Sequence, residues 1–283
     1  MVVLLGDICE HFGTVEEYAY AKKFLSQLNK PFSPVVGNHE YIYEDNVPGK
    51  YVKASYSSRK KKLQRFRETF SLQEVFYSKR VEFYLLIFLS TDGLYSNYLA
   101  EISGKQIEWL QSELGKNRDI PTIIFFHSPL KGTLMGSNEP VGDDNFIAQP
   151  HRKIHKIISE NPQIFLWVSG HTHIAPTNAN FNHKVNIYEN RVTNIHNCDM
   201  DGRSFLSETD TKGKGHTSIW TNSLFLYPDQ VAIKTYDHKK DNWLENLNRE
   251  IRLPNIKASA ICDKSIAYLD LKDWDLLAGL ASH

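Results

Sequence analysis

Four short apolar runs in this chain each break abruptly into residues that bind metals. MVVLL runs into Gly6-Asp7, PVV into Gly37-Asn38-His39-Glu40, TIIFF into His127, and IFLWV, through Ser169, into Gly170-His171-Thr172-His173. Runs of this length, rich in Val, Ile, Leu and Phe and bounded by turn residues, read as buried strands. In an open α/β sheet, ligands sit just beyond the carboxyl ends of such strands. The order therefore brings one Asp, one Asn and several His to one edge of one sheet. That is the pattern of a metal site.

The rest of the composition sets bounds. A chain of 283 residues holds one large α/β domain or two small ones. Its 33 basic and 33 acidic residues balance, so net charge points to neither nucleic acid nor an anionic membrane. Cys9, Cys198 and Cys262 form no CxxC pair, and an odd number argues against a disulfide framework and for a reducing compartment. The first residues lack the basic n-region of a signal peptide, and no run approaches the roughly 20 apolar residues that span a bilayer. The expectation is a soluble, cytoplasmic protein.

Along the chain, residues 2–5 form a strand and Thr14 with Glu17 makes a capping box for a helix carrying Tyr18, Ala21, Leu25 and Leu28 on one face. A short strand at Val35-Val36 completes a parallel crossover. Residues 41–75 are aromatic and basic, with RKKKLQRFR at 59–67. They read as a solvated helix burying Leu63, Phe66 and Phe70, or as a lid whose cations attract a phosphorylated substrate. Residues 81–90 predict one central strand, and Ser103 with Gln106 caps a helix burying Ile107, Leu110 and Leu114. Residues 131–149 predict a loop near the site, and Ile154, Ile157 and Ile158 mark a further helix. Segments 184–197, 217–227 and 230–236 predict strands of an antiparallel half. Residues 241–252 predict a helix, and 255–283 a docking segment. Two domains follow: 1–240 with 41–75 as insertion or lid, and 241–283 as a helical docking segment.

The chemistry of the constellation is specific. A carboxylate bridges two divalent ions, imidazoles suit zinc, iron or manganese, and an amide oxygen adds a neutral ligand. Two such ions, about 3.5–4 Å apart, activate water and grip phosphoryl oxygens from both sides. In GHTH, alternate residues of an extended loop point the same way, so His171 and His173 can serve neighbouring ions. Each motif alone occurs in ordinary turns; all four in order, each after an apolar strand, do not.

On these motifs the chain resembles the calcineurin-like metallophosphoesterases, whose pattern runs DxH, GDxxxxG, GNH(D/E), a single His, and GHxH. Gly6-Asp7 with Gly13, Gly37–Glu40, His127 and Gly170–His173 match the last four of these. The resemblance covers about residues 1–240. It implies a four-layer α/β/β/α sandwich and hydrolysis of phosphate monoesters or diesters by a metal-activated hydroxide, with two divalent ions (Mn, Fe or Zn). Carried over by position, Asp7 bridges both ions, Asn38, His127 and His171 hold the second, and His173 belongs to the first. His39 contacts the phosphate and protonates the leaving oxygen, Glu40 supports the site, and Cys9 belongs to the core.

One departure matters. The family's DxH lies on a strand ahead of GD, and no D-x-H occurs anywhere in this sequence. The expected sandwich therefore lacks its N-terminal first strand, and the first ion keeps only Asp7 and His173. This predicts a weak first metal and impaired hydrolysis. GNHE followed by an aromatic residue, with His127-Ser128-Pro129, is similar to purple acid phosphatases, but Glu10 stands where their metal-binding Tyr would be, so no iron–tyrosinate centre is expected. The basic run keeps a nucleotide or nucleic-acid substrate open. The rival to an enzyme is a degenerate module of the same fold that binds metal or a partner without catalysis.

Overall fold

The computed structural model describes residues 1–45, 50–135, 140–141, 143–175, 178–197, 218–254 and 267–268. Thr14 caps α1 (Val15–Leu25): its hydroxyl accepts from the Glu17 N–H while the Glu17 carboxylate accepts from the Thr14 N–H. The same carboxylate takes the N–H groups of His11 and Phe12, so one residue fixes the loop between strand and helix. The helix joins β1 (Val2–Leu4) to its parallel neighbour β2 (Phe32–Pro34). Val35 and Val36 follow β2 and are fully buried, and the Val35 N–H still bonds the Leu4 carbonyl at 2.9 Å.

Ser55 caps α2 (Tyr56–Phe70), which carries the basic run. Its two best-placed cations do not form a free charged face. Arg59 is buried and donates to the Ala54, Gly93 and Ser96 carbonyls, and buried Lys62 bonds Asp45 and the Phe12 carbonyl. On the same helix Phe66 and Phe70 pack edge-on against Tyr18. The segment holds the expected helix with Phe66 buried and Leu63 and Phe70 packed beside it, but two of its cations are buried too, and the carbonyls and Asp45 supply the partners that burial requires.

The expected single strand at 81–90 is instead the second arm of a hairpin: β3 (Tyr77–Val81) and β4 (Tyr84–Phe88) pair antiparallel, with Val81 opposite Tyr84. Glu82 takes φ 50° at the reversal, a turn signal that its residue type does not announce. Ser103 caps α3 (Gly104–Lys116), burying Ile107, Leu110 and Leu114. Then come β5 (Thr122–Phe125), a small hairpin of β6 (Leu134–Met135) and β7 (Pro140–Val141) inside the expected loop, α4 (His151–Glu160) and β8 (Ile164–Ser169). The remaining strands are β9 (Ile187–Tyr188), β10 (Val192–His196), β11 (Trp220–Leu226), β12 (Gln230–Asp237), β13 (Asn242–Trp243), β14 (Arg249–Arg252) and β15 (Ala267–Tyr268).

One mixed sheet has the order β3-β4-β5-β8-β10-β9, parallel from β4 to β10 and antiparallel at both edges. A second, antiparallel sheet has the order β13-β12-β11-β15, with β14 also on β12. Two expectations need correcting. Within 184–197, β10 joins the first sheet parallel to β8 rather than an antiparallel half; its five residues are all buried, as a strand between neighbours requires. Residues 241–252 are not a helix but β13, one 3₁₀ turn at Glu245–Leu247, and β14. Packing decides there: the Trp243 ring meets Tyr236 at 4.9 Å and Phe225 at 5.9 Å, and Arg249 lies 4.4 Å over the Phe181 ring. Of the expected docking segment, only 267–268 falls within the described residues.

Two main cores result. Leu85, Ile87, Ile124 and Trp167 meet the apolar faces of α3 and α4. Leu86, Phe88, Phe125 and Val168 on the opposite face meet Leu224, Leu226, Val231 and Ile233 of the second sheet. The parallel strands are apolar on both faces because both are covered.

Candidate metal centre

The expected single sheet is two, because β1 and β2 pair only with each other while β5 and β8 lie in the six-stranded sheet, yet the ends of all four release their loops at one place. The close approach there demands glycine twice. A Cβ on Gly6 (φ 84°) would lie 2.6 Å from the Gly37 nitrogen and 2.7 Å from His127 Nδ1, and one on Gly37 would lie 2.3 Å from Asp7 Oδ1. Asp7 itself takes φ 51°, His171 φ 62° and His173 φ 51°. Left-handed backbone at non-glycine residues is costly and gathers at functional sites.

Glu40 braces two of these loops. Its fully buried carboxylate accepts the N–H groups of Asp7 (2.8 Å), Gly37 (2.6 Å) and Cys9 (2.9 Å). Burial and the Asp7 charge push its pKa up to about 7, against the pull of the Cys9 and Gly37 bonds. Thr91 adds a second tie by donating to the Val36 and Gly37 carbonyls. Cys9 is buried in the neighbouring core, as expected.

Three donor atoms converge above this brace. His127 Nε2 lies 3.0 Å from Asn38 Oδ1 and 3.2 Å from Asp7 Oδ2. Its Nδ1 lies 2.7 Å from the Leu5 carbonyl, which only accepts, so Nδ1 carries the proton. A neutral His127 would then aim its Nε2 lone pair at two oxygens, a repulsive arrangement unless a proton or a metal ion lies between. A carboxylate, an amide oxygen and an imidazole held this way suit a divalent ion. Asp7, His127 and His171 each present a ligand atom within 4.8 Å of the others. His171 Nε2 must donate to the Asn145 carbonyl at 3.1 Å, which leaves Nδ1 for an ion.

Charge follows the same geometry. Burial opposes ionisation of Asp7, but His127, His39 and His171 outweigh it and hold the carboxyl below the usual range. Burial likewise opposes a charged His127, yet Asp7 and the Leu5 carbonyl raise its pKa. His171 is pushed down to about 3 by burial and by the His127 charge.

The structure therefore brings Asp7, Asn38, His127 and His171 together. His39 stands beside them, its N–H bonded to Asp7 Oδ1 at 3.0 Å and its Nε2 4.0 Å from Asp7 Oδ2. His173 lies outside the converging group, although its charge is felt at His171. The GHTH loop is not extended: the Thr172 N–H closes onto the Gly170 carbonyl at 2.7 Å across His171, so the alternation expected for the two histidines does not hold. Sequence reading missed the Leu5 and Asn145 carbonyls, because backbone atoms carry no residue signal. It also missed the aromatic wall beside His39, although Tyr43 and Tyr51 stand in the segment it noted as aromatic.

The calcineurin-like phosphoesterase pattern matches residues 1–175, and the chain belongs to that family. Among solved structures, a dimetal phosphatase from Danio rerio has a similar fold, with a TM-score of 0.53 at 14% identity, over 89% of this chain and 83% of that one. No curated protein matches the chain by sequence. Among the described residues, no helix is long and apolar enough to cross a membrane.

Proposed function

We propose that the protein is a metal-dependent hydrolase of phosphoric esters built on a four-layer α/β/β/α sandwich. The observation that carries the activity is the convergence of Asp7 Oδ2 and Asn38 Oδ1 within 3.2 Å of His127 Nε2, with His171 alongside. The two apolar cores, one against α3 and α4 and one between the sheets, support the layering.

Bound divalent ions supply the Lewis acidity that polarises a phosphoryl oxygen and activates water. Asp7 would be the ligand shared between two ions, with Asn38, His127 and His171 holding one of them and His173 available to the other. The Leu5 and Asn145 carbonyls fix which nitrogen of each histidine faces inward. Glu40 holds Asp7 and Asn38 in register through the backbone. His39 keeps Nδ1–H on the His11 carbonyl at 3.0 Å and presents Nε2 to the substrate, where it protonates the leaving oxygen.

The test is metal content per chain after loading with Mn²⁺, with p-nitrophenyl phosphate and bis-p-nitrophenyl phosphate hydrolysis followed on the same sample. Retained metal with turnover that disappears in Asp7→Ala supports the reading. Retained metal with no turnover on either ester would instead favour a non-catalytic module of the same fold.

A further inference from the structure

His39 and Asn38 both border a group of aromatic rings: the Tyr43 hydroxyl is hydrogen-bonded to the Asn38 side chain. The His39 ring meets Tyr43 at 5.6 Å and Tyr51 at 5.7 Å, both edge-on. Tyr43 and Tyr51 lie 4.8 Å apart, and Phe12 lies 5.5 Å from Tyr51. Tyr51 remains 55% exposed despite these neighbours. An apolar ring left in water beside a reactive centre is unfilled contact area.

The wall is built rather than incidental. Tyr43 and Tyr51 stand on two antiparallel arms tied by the Glu44 N–H to the Val52 carbonyl and by the Ala54 N–H to the Ile42 carbonyl. Phe12 is fixed from the other direction, its N–H on Glu17 and its carbonyl on Lys62. The Tyr51 hydroxyl meets His11 Nδ1 at 3.1 Å, which sets the ring's orientation. Three rings on two separately braced segments therefore meet at one place. Among them His39 has its Nε2 directed to Asp7 and its ring edge-on to the wall.

We infer that Phe12, Tyr43 and Tyr51 form the leaving-group subsite, and that the substrate is a phosphoester whose leaving group carries an aromatic ring. This rests on the phosphoesterase reading and deepens it. A phosphoryl group held by divalent ions bound at Asp7 and Asn38, with its leaving oxygen at His39 Nε2, would carry that oxygen's substituent beside the rings, since His39 and Asn38 both touch them. A planar ring there stacks on a pre-formed surface; an alkyl group gains less from it. The balance of the reaction is ordinary ester hydrolysis: water adds to phosphorus, the P–O bond to the leaving group breaks, and the released alcohol or phenol takes the proton.

The experiment is calorimetric binding to the Mn²⁺-loaded chain, with phenylphosphonate against methylphosphonate, neither of which the enzyme can hydrolyse. Phenylphosphonate is expected to bind about tenfold tighter. Tyr51→Ala should abolish that preference, and Tyr51→Phe, which keeps the ring, should restore it. Adenosine and ribose, added as competitors of phenylphosphonate, tell the ring's source. Competition by adenosine alone supports the subsite and names a nucleotide; competition by neither, with the phenyl preference intact, supports it and names a small aryl ester. Equal binding of the two phosphonates, or a phenyl preference unchanged in Tyr51→Ala, overturns the subsite and leaves the phosphoesterase reading standing. Binding of neither phosphonate overturns both.

Discussion

The GNHE and GHTH loops deliver donors to the same place by different means. GNHE is braced from within, because the Glu40 carboxylate gathers three backbone N–H groups from two loops. GHTH is held by the tight turn at His171 and by the Gly170 N–H on the His127 carbonyl. The donors nearest the brace, Asp7 and Asn38, lie within 3.2 Å of His127 Nε2, while His171 joins at up to 4.8 Å and His173 stays outside. The two sides of Asp7 are thus held by different means, hydrogen bonds to a buried carboxylate on one and left-handed backbone at His171 and His173 on the other.

Removing the shared ligand tests both sides at once. Asp7→Ala should abolish metal retention and lower turnover by about a thousandfold or more, since the neighbouring Glu40 carboxylate is committed to backbone N–H groups. Metal analysis and ester hydrolysis on one sample check this. His39→Ala should leave the metal in place and lower turnover by about a hundredfold or more, most for esters with poor leaving groups. If that variant loses its metal, His39 is a ligand and the division of roles collapses.

The brace itself is tested by Glu40→Gln. An amide offers one acceptor oxygen and places an NH₂ against backbone donors, so stability should fall by about 2 kcal/mol. Metal affinity should weaken by about 10- to 100-fold, as for other groups that orient ligands. Denaturant titration and Mn²⁺ titration report the two effects separately; an unchanged affinity would mean that the loops hold their register without it.

Proton competition gives a further asymmetry. An ion needs His127 Nε2 without its proton, and although burial opposes it, Asp7 raises the pKa of His127 from its ordinary value. Metal affinity should therefore fall as pH drops, by about tenfold per unit once His127 is protonated. His171, pushed down to about 3, stays neutral across the same window and adds nothing to the slope. Mn²⁺ affinity measured from about pH 5.5 to 8 shows whether one proton or two are released. The smallest effect belongs to His173: His173→Ala should cost the tighter ion no more than about threefold in affinity, against about a hundredfold for His127→Ala. Equal losses would erase the asymmetry.

Local signals settled much of this protein from its sequence alone. The capping box of α1, the Ser103 cap of α3 and the apolar periods of α1, α3 and α4 each lie within a few neighbouring residues, and so do the strand-to-motif transitions at Asp7, Asn38, His127 and His171. Those features are short-range and carry their own hydrogen-bonding logic. What the tertiary structure decided is non-local. Strand β10 runs parallel because a neighbour from residues 164–169 is there to pair with it. Residues 241–252 pair on β12 instead of coiling, because Trp243 and Arg249 find aromatic partners across the chain. Likewise Arg59 and Lys62 turn inward to carbonyls and to Asp45, where sequence alone showed only charge. The aromatic wall at His39 is of the same kind: Phe12 and Tyr51 are 39 positions apart in the chain and meet only because Glu17, Lys62 and the 42–54 arms hold them there. Backbone carbonyls and long-range ring contacts have no signature in residue order, so the partners of the site could be read only from the fold.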